Sequence, residues 1–176
     1  QGASGVPSGF HSLDKITSGW QRSDLIIIAA RPAMGKTAFI LSMAKNMAVD
    51  YNSPVAVFSL EMSNVQLVNR LIMNVCQLEG EKIKNGQLDK YEWEKFDKDI
   101  NLLLDAPIFV DDTPSLSIFE LRSKARRLVK EHKIQCIIID YLQLMNASGM
   151  SFGSREQEVS IISRSLKGLA KELDIP

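Results

Sequence analysis

The sequence predicts an α/β protein with a mainly parallel sheet flanked by helices, and three observations predict it. Short apolar runs recur at Leu25–Ala30, Val55–Phe58, Pro107–Val110 and Cys136–Ile139. Runs of this length without polar alternation suit strands covered on both faces. Segments with apolar residues at helical spacing separate them, so strands alternate with helices four times over. That order favours parallel neighbours joined by crossover helices. With 176 residues, the chain is long enough for about one compact core.

Taken in order, residues 1–20 are rich in Gly, Ser and Pro and read as a lead-in segment, with residues 21–176 as the domain proper. After the run Leu25–Ala30, residues Ala38 to Ala48 carry Phe39, Leu41, Met43, Ala44 and Met47 on one broad helical face. Pro54 starts the second strand, Val55–Phe58. Ser63 is placed to cap a helix whose apolar side is Val65, Leu67, Val68, Leu71, Ile72 and Val75. Glu79 to Asp105 is more charged, with Trp93 and Phe96 on one helical face. After the third strand, Ser117 and Glu120 have capping-box spacing ahead of Leu121, Ala125 and Leu128. The run Cys136–Ile139 ends in Asp140. A last helix, Glu156 to Leu173, buries Val159, Ile162, Leu166, Leu169 and Leu173. The chain stops at Ile175-Pro176, where another strand is expected, so the domain reads as truncated at its C-terminal side.

Composition narrows the function. No apolar run nears the roughly 20 residues that span a bilayer, and no basic-then-apolar leader opens the chain. The expectation is a cytoplasmic protein with no membrane partner. Formal net charge is zero, whereas a small protein that held nucleic acid through bulk charge would be basic. Any grip on DNA must come from a local patch or from several subunits pooling charge around a channel. Cys76 and Cys136 sit in apolar runs and read as buried thiols, not as a disulfide or metal pair. His11 and His132 lack partners at ligand spacing, so no zinc site is expected.

One segment carries chemistry. The run Leu25–Ala30 leads into Ala30-Arg31-Pro32-Ala33-Met34-Gly35-Lys36-Thr37 and then a helix. This is the phosphate-loop pattern at every position but the first, where Ala30 replaces glycine. Backbone N–H groups at a helix N-terminus suit polyphosphate oxygens. Arg31, Pro32, Ala33, Met34 and Gly35 form the cradle, and Gly35 permits close backbone approach. Lys36 supplies charge to the β and γ phosphates, and the Thr37 hydroxyl is a ligand for Mg²⁺. ATP and Mg²⁺ are therefore the expected ligands.

Such a loop needs a carboxylate at the end of another strand. Asp140 ends the fourth strand and fits the metal role with Thr37. Glu61 follows the second strand. Parallel strands bring their C-terminal ends to one edge, so Glu61 should open toward the same crevice. By position alone it is equally a water-orienting carboxylate or a surface Glu near a helix start. Asp111 and Asp112 end the third strand as rivals, but Thr113-Pro114 follows at once, which favours capping or turn roles.

Six blocks in order resemble the C-terminal motor domain of DnaB-type replicative helicases. They are Gly5-Val6-Pro7-Ser8-Gly9-Phe10 with Leu13-Asp14, Asp24 to Thr37, Phe58-Ser59-Leu60-Glu61-Met62-Ser63, Asp111-Asp112-Thr113-Pro114, Ile139 to Met145, and Ile162 to Lys167. The resemblance covers nearly the whole chain. It implies a RecA-like P-loop NTPase fold, a ring-shaped homohexamer, and ATP-driven 5′→3′ movement on single-stranded or forked DNA, with primase and a helicase loader as partners. Carried over by position, Lys36 and Thr37 bind phosphates and Mg²⁺, Asp140 is the Walker B acid, and Glu61 is the catalytic carboxylate acting with Lys36. Two alternatives stand beside it: a RecA- or RadA-type recombinase ATPase, and a non-hydrolysing P-loop module for assembly or loading.

The remaining signals favour structure. Arg122, Lys124, Arg126, Arg127, Lys130 and Lys133 crowd one helix, offset by Glu120 and Glu131, and a solvated face is preferred to a DNA contact. Arg155 follows the Gly/Ser-rich loop Asn146 to Ser154, where a phosphate contact is the secondary reading. Aromatics make up only 7% of residues and are too scattered for base stacking. Met145 and Met150 read as packing residues.

The resemblance also implies that a strand with a phosphate-sensing Gln, a DNA-binding loop and a basic finger lie beyond Pro176. The sensing strand would occupy the centre of the sheet, between the phosphate-loop strand and the Asp140 strand. Two outcomes are expected. The sheet should carry a gap there or borrow a strand, and the chain by itself should be at most a weak ATPase. Turnover matching that of an intact helicase would overturn the second.

Overall fold

The computed structural model describes residues 4–31, 33–76, 85–147 and 153–176. Three parallel strands form the sheet: β1 (Val55–Ser59) lies between β2 (Ile108–Asp111) and β3 (Cys136–Asp140). Val55 stands opposite both Ile108 and Cys136, and Ser59 opposite Asp140, so the C-terminal ends of β1 and β3 finish level.

Period-two side-chain alternation divides the core. From β1, Val55 and Val57 point to one side with Cys136 and Ile138. There they meet helices α2 (Lys36–Lys45) and α3 (Asn64–Cys76), through Ile40, Leu41, Met43, Ala44, Leu67 and Leu71. Ala56 and Phe58 point the other way, against α5 (Ile118–His132) and α6 (Arg155–Leu173), where Leu121, Ala125, Ile162, Leu166 and Leu169 are buried. All five β1 residues are buried, as a strand covered on both faces requires. Helix α4 (Lys90–Leu104) follows α3, and on it Trp93 and Phe96 meet edge to face at 5.6 Å.

Capping fixes the helix starts. The Ser63 hydroxyl accepts from Gln66 N at 3.3 Å, while the Gln66 carboxamide accepts from Ser63 N at 3.0 Å, a reciprocal cap. Ser117 accepts from Glu120 N at 3.1 Å. Asp89 and Ser154 do the same for α4 and α6.

Residues 5–20 pack against α2. Val6 and Trp20 exchange backbone hydrogen bonds of 2.9 and 2.8 Å, and between them lies α1 (His11–Thr17). Phe10 stacks on Phe39 at 4.9 Å, and Trp20 Nε1 donates to Met43 Sδ at 3.0 Å. Gly9 has φ +84°, and a Cβ there would lie 2.3 Å from Asn46 Cβ, so only glycine fits.

Two expectations are corrected. Leu25–Ala30 is not a strand of this sheet, and it is not covered on both faces: Ile27 is 65% exposed. Strand formation needs a hydrogen-bonding neighbour, and no described segment lies beside this run to provide one. It faces β3 across a cavity of about 910 Å³, floored by Leu166, Leu169 and Leu173. The expected interruption of the sheet is therefore present. At the far end of α6, Ile137 N of β3 donates to Pro176 O at 3.1 Å, which brings the last residue onto the cavity-facing edge of β3. On α3, Leu67 and Leu71 are buried, but Val65 is 71% exposed and Val68 is exposed too. The apolar stripe read from sequence was wider than the face that α2 and β1 cover. The side chain of Cys76, the side chain of Met150 and most of the Asn146–Ser154 loop lie outside the described residues, as does part of the charged stretch before α4.

Ile162 is fully buried between α5 and the sheet. Ile162→Ala should lower unfolding stability by about 2–5 kcal/mol, whereas Val65→Ala should stay within about 0.5 kcal/mol. Chemical denaturation of both variants checks the contrast.

Candidate nucleotide-binding site

The loop after Leu25–Ala30 turns into α2 through two left-handed residues, Ala33 at φ +63° and Gly35 at φ +81°. Gly35 is the N-cap of α2, and nothing lies within 4 Å of where its Cβ would be. The glycine is thus needed for its backbone angle and not for room, while Ala33 carries the strain of that region with a side chain. Lys36 and Thr37 are consequently the first two residues of the helix, at its positive end. Met34 is 72% exposed, and Arg31 is exposed as well. Pro32 lies outside the described residues.

Asp140 meets this helix start from the end of β3. Its side chain is 2% exposed. Lys36 Nζ lies 3.2 Å from Oδ1, and the Thr37 hydroxyl donates to Oδ2 at 3.3 Å. Oδ1 has no aligned hydrogen-bond donor among the described residues, so its contact with Lys36 is an ion pair without a directed bond. A buried carboxylate oxygen with a free lone pair, next to a hydroxyl, is a hard-oxygen donor set of the kind Mg²⁺ takes. The residues present fit that ion. Lys36 Nζ also stands 4.1 Å from the centre of the Tyr141 ring.

Glu61 comes from the turn after β1. The Ser59 hydroxyl donates to Met62 O at 2.9 Å and accepts from Met62 N at 3.2 Å, which folds the turn and leaves Glu61 exposed at its tip. Glu61, Asp140, Lys36, Thr37, Arg31, Ala33 and Gly35 all line the cavity beside Leu25–Ala30. The structure thus brings the expected residues to one opening. It adds three that sequence reading missed: Arg70 of α3, Tyr141 and Gln143. Tyr141 and Gln143 could have been suspected from their place just after Asp140 in a matching block, whereas Arg70 reaches the cavity only through the fold.

The rival carboxylates are occupied elsewhere. Asp112 accepts from Asn64 N at 2.7 Å and so caps α3. Asp111 accepts from Lys124 Nζ at 2.7 Å and from Thr113 N at 3.0 Å. Burial pushes the Asp111 carboxyl upward, but the Lys124 and Thr113 hydrogen bonds outweigh it and hold the group below its ordinary value. Of the basic residues on α5, Lys124 serves Asp111 and Arg126 pairs with Glu172 at 2.6 Å. Arg155 is tied inward: it pairs with Glu158 and donates to the carbonyls of Gln143 and Met145, while Glu158 accepts from Ala147 N. This residue braces the chain after β3. Cys136 is free and buried, and burial pushes its thiol up to about 12, which keeps it protonated and unreactive.

Comparison with known proteins decides the family. The profile of the DnaB-like helicase C terminal domain matches residues 5–176. The chain belongs to that family. It is 52% identical over 174 residues to a protein of Nostoc sp. named replicative DNA helicase DnaB, and 50% identical over 172 residues to the protein of the same name from Geobacillus stearothermophilus. Each match takes in 98% of this chain but 20% and 38% of those relatives, respectively. Two solved structures superpose with TM-scores of 0.90 at 38% identity over 99% of this chain. One is a DnaB-like replicative helicase described with its primase interactions, and the other is described as an ATPase domain. The chain spans 42% and 62% of those two. The fold is accordingly the RecA-like α/β fold of DnaB C-terminal ATPase domains. Among the described residues, no helix is long and apolar enough to cross a membrane.

The Asp111 pair makes a pH prediction. Because its folded pKa lies below the ordinary 3.8, its stabilisation is complete above that value and fades as pH falls through the folded one. Lys124→Met should cost about 1 kcal/mol at neutral pH. The gap between the variant and wild type should close below about pH 4, which denaturation across pH 2–7 tests. A gap independent of pH would assign the loss to packing alone.

Proposed function

We propose that the chain is the motor domain of a replicative DNA helicase, coupling hydrolysis of ATP with Mg²⁺ to movement along single-stranded DNA and opening of a duplex. The observation that carries this reading is the meeting of Lys36, Thr37 and buried Asp140 at the mouth of one cavity, with Glu61 on the same opening. Membership of the DnaB-like family supports it.

Charge explains how such a site works. Lys36 and Asp140 neutralise each other at 3.2 Å. A triphosphate tail attracts Lys36 and repels Asp140, so the two must part for the nucleotide to seat. Lys36 then serves the β and γ phosphates, while the loop Arg31–Thr37 and the N-terminus of α2 hold the tail. Asp140 and Thr37 are the residues that would hold Mg²⁺, which would supply charge neutralisation for the phosphate oxygens. Glu61, exposed at the tip of its turn, orients and polarises the attacking water. Within the same proposal, residues 1–20 are the lead-in and residues 21–176 the ATPase core. Its setting is the cytoplasm, and the partners are single-stranded or forked DNA, a ring of six copies, a primase and a loader. With zero net charge, DNA would be held by basic groups that each subunit turns toward a shared channel.

Three variants, made in a full-length helicase that carries this domain, test the assignment by titration with a fluorescent ATP analogue and by DNA-stimulated ATP turnover. Lys36→Ala should weaken Mg·ATP binding by roughly tenfold or more, the loss expected when a charge-assisted contact is removed. Glu61→Gln should bind Mg·ATP within about threefold of wild type yet lose turnover by about 10²–10⁴. Asp140→Asn should make nucleotide affinity less dependent on Mg²⁺, since the repelling charge is gone. Wild-type turnover in Lys36→Ala or Glu61→Gln would overturn the motor reading.

A further inference from the structure

We propose that Tyr141 is a positioning residue for Lys36: its ring face holds the lysine ammonium at the loop mouth while Asp140 changes partners. The inference rests on the phosphate role of Lys36 proposed above. The observation is the double attachment of one ammonium, 3.2 Å from the Asp140 carboxylate and 4.1 Å from the Tyr141 ring centre. Lys36 is a quarter exposed and Tyr141 half-buried, so water does not screen the contact fully.

The two attachments differ in what a dication does to them. A carboxylate that held Mg²⁺ would balance the lysine far less, because its single negative charge would be engaged by a dication. The ring face is no match for water or carboxylate as a ligand for so hard an ion. It still attracts an ammonium through its quadrupole. Without the ring, a lysine leaving Asp140 has four flexible bonds and open water to explore, and fixing it on a phosphate costs that freedom. With the ring in place, the ammonium stays within reach of the loop and needs only to turn. Tyr141 directly follows Asp140 in the chain, so metal ligand and ring are carried by consecutive residues at the end of β3. Placement of the lysine is thereby tied to placement of the acid.

The test is a double-mutant cycle on this chain, read by Mg·ATP-analogue affinity, with the ε-CH₂ signal of ¹³C-labelled Lys36 as a second readout. Tyr141→Phe keeps the ring and should bind within about twofold of wild type. Tyr141→Leu should weaken binding roughly fivefold, the size of one partly exposed cation–ring contact. In a Lys36→Met background, Tyr141→Leu should have no further effect. The Lys36 signal should be shifted upfield by the ring in wild type and Tyr141→Phe, remain shifted when Mg·ADP is added, and lose the shift in Tyr141→Leu. A fivefold loss that persists in Lys36→Met would overturn the inference alone, because Tyr141 would then act through packing. Loss of the upfield shift on Mg·ADP binding would also overturn it. Wild-type affinity in Lys36→Met would overturn the phosphate reading itself, and this inference with it.

Discussion

A buried acid held by two residues more than a hundred positions earlier is the constraint on which this structure turns. Asp140 is almost wholly removed from water, and a bare carboxylate there would be costly. Lys36 and Thr37 meet that cost from the start of α2. The contact fixes the end of β3 against the phosphate-type loop, so the loop cannot drift away from the sheet even though the run before it is unpaired. Replacing water around a buried charge with a lysine and a hydroxyl leaves one carboxylate oxygen without a directed donor. Lys36 balances that oxygen's charge at 3.2 Å without a directed hydrogen bond, so its lone pairs remain able to take another partner. In the proposed function, that oxygen is where a metal belongs.

The rest of the fold follows from holding that junction in place. β1 is central, buried on both faces, and it sets the level at which β3 ends, since Ser59 and Asp140 are partners across the ladder and Leu60 N donates to Asp140 O at 2.8 Å. Glu61 is therefore two residues beyond a fixed point. Arg155 performs a similar service after β3, binding the carbonyls of Gln143 and Met145 and pairing with the buried Glu158. The chain on either side of the acid is thus anchored, by the β1 ladder before it and by α6 after it.

Legibility varied with the kind of force involved. β3 was readable to within a residue because an uninterrupted apolar run has few other places to go. The Ser63 and Ser117 caps were readable because capping acts over three residues of chain. The strand assigned to Leu25–Ala30 failed for the opposite reason: pairing is a property of two segments, and apolar character in one of them says nothing about the other. Val65 and Val68 were misjudged similarly, since an apolar stripe does not report how much of it a neighbouring helix will cover. Arg155 had a phosphate among its candidate roles, yet its partners are Glu158, one turn along α6, and the carbonyls of Gln143 and Met145, which it reaches only when α6 folds back.

What the sequence determined by itself was local. It carried the identity of the loop, the two acids at the ends of apolar runs, the alternation that makes the sheet parallel, and the capping of two helices. Each of these depends on residues within a few positions of one another, where geometry is set by the backbone. Tertiary structure decided the rest. It closed Asp140 onto Lys36, tied the rivals of Glu61 elsewhere by giving Asp112 to the start of α3 and Asp111 to Lys124, set the Tyr141 ring against an ammonium, and left Leu25–Ala30 standing apart from β3. Those outcomes depend on side chains from distant segments competing for the same partners, and that competition is resolved only when the whole core closes.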